Sequence, residues 1–133
     1  MLLTCAVLLV VVAVVVAGGV VPQVLETSAP GIDPDAAVPA FRVAVGLHLL
    51  AAAVLASLAI WSMSRTRGTT VLLILTGVAV VLFGLVLADA AVAFLEAGSA
   101  LQMATILLWA CVAADIVAGA LAIATATLRS TQV

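Results

Sequence analysis

The apolar positions of this chain fall into four long blocks, and its polar residues gather in the three intervals between them. Met1 to Val21 is almost unbroken leucine, valine and alanine. Pro22 can end a helix there, because proline lacks the N–H and crowds the preceding turn. Residues 23–39 hold Pro30, Pro34 and Pro39, Gly31 and the acids Glu26, Asp33 and Asp35, a composition that reads as a solvated loop. The next blocks run from about Ala40 to Met63, from Val71 to about Leu95 and from about Ala100 to Leu128. Each exceeds the roughly 20 residues a helix needs to cross hydrocarbon, and none alternates as the strand of a membrane barrel would. The valine-rich first block would be a poor helix in water, but a lone segment crossing lipid must satisfy its own backbone and is therefore helical. The pattern predicts an all-α polytopic membrane protein with a single domain, residues 1–133. Its four transmembrane helices (about 1–22, 40–63, 71–95 and 100–128) form an up–down bundle with an outer loop at 23–39.

Composition agrees with that class. Hydrophobic residues make up 68% and charged residues 8% of the chain, against roughly 45–50% apolar and about 25% charged in soluble domains. Ten charged groups with a net charge of −2 offer no basic footprint for nucleic acid. In a four-span chain Arg65, Arg67 and Arg129 share one side and Arg42 lies across, so the positive-inside rule predicts a multi-pass cell-membrane protein with both termini cytoplasmic. Trp61 fits an interfacial anchor on that side. Val15-Val16-Ala17 before Gly18 resembles a signal-peptide cleavage site, but the missing positive leader and the apolar run through Val21 favour a retained helix.

Small residues suggest how the helices pack. Ala110, Ala114, Ala118, Ala122 and Ala126 recur every four residues on the fourth span, a strip that lets another backbone approach, and Gly77 and Gly84 on the third span are the expected facing surface. Cys5 and Cys111 fall at different depths and are expected as free, buried thiols. One histidine and scattered carboxylates do not make a zinc site, and no phosphate loop, nucleophile elbow or catalytic dyad is present.

Four residues stand out inside the spans: His48, Asp89, Gln102 and Asp115. At about 1.5 Å per residue, His48 lies roughly 10–12 Å and Asp89 roughly 9–10 Å below the outer ends of their predicted helices, whereas Asp115 lies about 22 Å down. The depths predict that His48 meets Asp89, with Glu96 at the mouth of a short polar path. They leave Asp115 apart, bonded elsewhere in the bundle or facing another subunit. Such a cluster is either a polar path for protons or substrate, or a device that fixes helix register.

The run Val45-Gly46-Leu47-His48-Leu49-Leu50-Ala51-Ala52, followed by an apolar helix ending at Trp61 and Arg65, resembles the haem-ligating helix of the heme A synthase family. The halves of those proteins are four-helix bundles with a histidine on the second and fourth helices. The family's Glu-x-x-His-Arg motif stands here as Val45-x-x-His48-Leu49, and Gln102 and Met103 stand at the outer end of the fourth span. The resemblance implies haem b as a cofactor with His48 as a ligand; no histidine occurs on the fourth span, where Met103 is the candidate for the second ligand. The reading the residues favour is a small subunit or accessory of a membrane complex, surrounded by lipid and by other subunits or further copies of itself, with the haem-binding membrane protein of the resemblance as one alternative. A small transporter or proton-conducting unit is the other alternative.

Overall fold

The computed structural model describes residues 2–26, 33–60, 67–96 and 101–131. They form four helices: α1 (Leu2–Glu26), α2 (Pro34–Ile60), α3 (Arg67–Glu96) and α4 (Gln102–Thr131). All four are long and apolar enough to cross a bilayer, and the architecture is an all-α four-helix bundle. Large aliphatic side chains such as Leu3, Val14, Leu50, Leu75, Val86 and Ile106 cover its outside, as a lipid environment requires. Ser28, Trp61, Arg65 and Thr66 lie outside the described residues.

Two prolines overturn the expected boundaries, and each does so for a local reason. Pro22 does not end α1. The five residues before it, Val16–Val20, form a π-turn, in which the Val21 N–H donates to the Val16 carbonyl. Widening the helix just ahead of a proline accommodates the missing donor and the ring, so the chain stays helical to Glu26. Residues 34–39 are not loop either. Asp33 caps α2: its Oδ1 accepts the Asp35 N–H at 3.0 Å, and its carbonyl accepts the Ala37 N–H at 2.9 Å. Pro34 then occupies the first helical position, where no N–H is needed, and Pro39 is carried inside the helix. Asp33→Ala should therefore cost about 1 kcal/mol of stability while Asp33→Asn costs little, as read by reversible unfolding in detergent.

Around the bundle, α1 packs on α2 and α4, α3 packs most closely on α4, and α2 touches α3 only lightly, which leaves α2 and α4 on a diagonal. The α3–α4 seam depends on glycine. A Cβ at Gly119 would lie 2.8 Å from the Gly77 carbonyl oxygen and 3.2 Å from the Val81 nitrogen, so two backbones meet here with no side chain between them. Gly77 and Gly84 do face α4, as the small-residue pattern predicts. The alanine strip is buried at Ala118, Ala122 and Ala126, whereas Ala114 is half-buried and Ala110 is exposed. A four-residue step advances 400° on a helix turning 100° per residue, so such a strip drifts off any one face. Ala118→Leu should overpack the seam and cost about 1–3 kcal/mol, while Ala110→Leu should be close to neutral in the same unfolding assay.

The apolar core comes in two halves. One, around Val16, Phe41, Leu87, Phe94 and Leu108, lies toward the end that bears Glu26, Asp33 and Glu96. The other, around Cys5, Leu9, Leu55, Leu73 and Ala122, lies toward the opposite end. α1 contributes to both, and both cysteines are buried and free.

Candidate functional site

Between the two halves of the core lies a polar layer one residue thick. His48 of α2 and Asp115 of α4 are 1% and 0% exposed, and His48 Nε2 sits 2.8 Å from Asp115 Oδ2 and 3.0 Å from Oδ1. Among the described residues this is the one acid–base side-chain pair. It joins the two helices that lie diagonally across the bundle, so it spans the interior rather than lining one interface.

Each surrounding element contributes to the geometry. On α2, the Nδ1–H of His48 donates to the Ala44 carbonyl one turn back, at 2.6 Å. With Nδ1 protonated, Nε2 either donates as an imidazolium to a carboxylate or accepts from a carboxylic acid, and both arrangements leave the pair without net charge. On α3, the Phe83 ring lies 5.2 Å from the imidazole, and Gly84 makes room for the aspartate: a Cβ there would sit 3.1 Å from Asp115 Cβ. The adjacent residues Phe83 and Gly84 thus serve the two partners separately. On α4, the neighbours of Asp115 one turn away are Cys111 and Gly119, both buried and small, so the carboxylate reaches across the bundle unobstructed.

This pairing corrects the expected one. His48 bonds Asp115, whereas Asp89 and Glu96 are exposed, so the polar cluster of His48, Asp89, Glu96 and Asp115 contracts to its first and last members. The error follows from the boundary at Pro34. Because α2 begins there and not near Ala40, His48 is fourteen residues into its helix and Asp115 thirteen residues into its own, about 21 Å and about 20 Å along the axes. The depths coincide. Ala44, Phe83 and Gly84 were not foreseen as parts of the site. The small residues flanking Asp115 were the one visible sign that its carboxylate faces a crowded interior.

Nor are His48 and Met103 brought together. Met103 is 60% exposed at the start of α4, twelve residues or about 18 Å above Asp115 along that helix. Both ring nitrogens of His48 are engaged by protein groups. The residues present therefore do not fit an axially ligated haem. A polar path is equally undeveloped among the described residues. Thr105, the other buried polar residue, donates its hydroxyl to the Leu101 carbonyl of its own helix at 2.8 Å. It stands ten residues from Asp115 and extends no relay toward either end.

Comparison of the chain with protein-family models, with curated proteins and with solved structures finds no match.

Proposed function

We propose that the chain is a small membrane-embedded subunit or accessory protein that works through lateral contacts with other membrane proteins. The supporting observation is Asp89. It stands two residues from buried Leu87 and two from buried Ala91, which at 100° per residue sets it on the far side of α3 from the core, and it is exposed there. Five residues from Gly84, it is about 8 Å from the level of the His48–Asp115 pair, within the roughly 15 Å half-thickness of a hydrocarbon core. Its Cα–Cβ bond tilts toward the start of α3 and so away from the nearer surface, which prevents the carboxylate from reaching headgroup water easily. A lone carboxylate facing lipid at such depth costs about 2–3 kcal/mol, and a partner protein removes that cost. The interior, whose central polar groups satisfy one another, has no comparable need.

A photo-crosslinking side chain at Leu85, one turn from Asp89 on the same outward face, tests this in the native membrane. Protein adducts are expected; adducts to lipid alone would overturn the reading. The arginine bias supports cytoplasmic termini in a cell membrane. With the native thiols buried, Ser28→Cys should label from outside and Thr66→Cys should stay protected, and the reverse pattern would invert the orientation.

A further inference from the structure

We infer that the partner at Asp89 is a second copy of this chain, whose α1–α2 face receives the outward ridge of α3 and whose Arg42 meets the carboxylate. The inference rests on the lateral-contact reading above and specifies the occupant.

Three observations carry it. The first is charge. Arg42 and Asp89 are both exposed, and among the described residues neither has an ion-pair or hydrogen-bond partner. Arg42 lies six residues from His48 and Asp89 five from Gly84, on the same side of the central pair, at about 9 Å and about 8 Å respectively. They cannot satisfy each other within one chain. Asp89 points directly away from the core, and Arg42 is turned about 120° from His48, toward the α1 side and away from α3.

The second is shape. Along α3 the outward residues Leu75, Val78, Leu82, Leu85, Asp89 and Val92 follow alternating steps of three and four, a continuous aliphatic ridge interrupted by one carboxylate. The face of α2 that bears Arg42 is instead notched: Gly46 and Ala53 are exposed small residues on either side of the exposed Leu49 and Leu50, and a Cβ at Gly46 would meet nothing within 4 Å. Next to Ala53, an open groove of about 500 Å³ runs between α1 and α2, walled by Val7, Val10 and Leu49.

The third is register. Because α2 and α3 run in opposite directions, two copies inserted the same way bring these features level. Arg42 faces Asp89, Gly46 (about 3 Å above the central pair) faces Leu85 (about 2 Å above), and Ala53 (about 8 Å below) faces Val78 (about 9 Å below). A charge meets its opposite, and each small residue meets a large one. The symmetric alternative, α3 against α3, would set two Asp89 carboxylates against each other. The contact is therefore head-to-tail, and its repetition gives a ring or a row.

Two differently tagged full-length chains in one bilayer, one carrying Gly46→Cys and the other Leu85→Cys, provide the test under mild oxidation. A disulfide is expected between the two tags and not between like tags. Arg42→Asp or Asp89→Arg introduced into both chains should lower that yield by about tenfold or more, and the two together should restore it. Neither side chain packs in the bundle's own core, so each variant, measured as a monomer in detergent, should keep the parent's unfolding midpoint, which separates lost contact from lost fold. A disulfide formed by Leu85→Cys alone would overturn the head-to-tail contact, as would a yield indifferent to both charge reversals. No disulfide in any combination, with a Leu85 photo-adduct to a different protein, would overturn self-association while leaving the lateral-contact reading intact. No disulfide and no protein adduct would remove both.

Discussion

Asp115→Ala should destabilise the bundle by about 3–5 kcal/mol, a large share of the roughly 5–15 kcal/mol of a chain of ordinary stability. The loss exceeds the ~1–2 kcal/mol of a typical hydrogen bond between membrane helices, because truncation leaves an ionisable imidazole buried without its counter-group. His48→Ala should cost a similar amount from the other side. Asp115→Asn, whose amide N–H can donate to the Nε2 of a neutral imidazole, should fall between these and the parent. Replacing both partners together, as His48→Leu with Asp115→Val, should cost less than either single truncation, since nothing polar then remains to be satisfied. Unfolding free energies for Asp115→Ala, His48→Ala and the two combined, measured in one detergent system, give the coupling; additive losses would mean that the two side chains act independently despite their 2.8 Å contact.

The second large effect is expected at Gly119. In Gly119→Ala the new methyl group would lie 2.5 Å from Val81 Cγ2, 2.8 Å from the Gly77 carbonyl oxygen and 3.2 Å from the Val81 nitrogen. Val81 could turn its side chain aside, but the two backbone atoms move only if α3 and α4 separate. The cost should reach the upper part of the ~1–3 kcal/mol range for overpacking. It should also weaken the His48–Asp115 pair, because Asp115 is one turn away against Gly84. Gly18→Ala is the control: a Cβ there meets nothing within 4 Å, so the better helix propensity of alanine should make it neutral or slightly stabilising. Equal losses at the two glycines in a thermal or denaturant series would mean that the close approach does not limit stability.

Much of this architecture was legible in the residues, and the mispairing of His48 has a single origin. Four apolar blocks in a chain that is 68% hydrophobic leave helices as the available crossing structure, and Gly77 and Gly84 marked the packing face of α3 before any coordinates. The prolines misled. Proline breaks a helix when its neighbours cannot adapt, but Pro22 follows a π-turn and Pro34 sits where the helix has no N–H to lose. Treating them as breakers shortened α2 by six residues. That moved His48 up by about 9 Å on paper and paired it with the wrong aspartate. Element type survives such an error because it rests on many residues, whereas a side-chain pairing inferred from depth rests on one boundary. Asp89 was singled out for its chemistry, but which way it faces was settled only by the burial of Leu87 and Ala91 around it.

The diagonal placement of the central pair also bears on how the protein is made. His48 and Asp115 are separated by 67 positions, and a ribosome delivers α2 to the membrane well before α4 exists. In that interval the imidazole has the Ala44 carbonyl but no counter-group, so the first helical hairpin is an incomplete half with a polar defect at its centre. The second hairpin, held together by the Gly77–Gly119 contact, brings Asp115 with it. Closure of the ion pair thus marks the moment at which both halves are present and in register. A nascent chain that stops short of α4 keeps this imidazole without its counter-group.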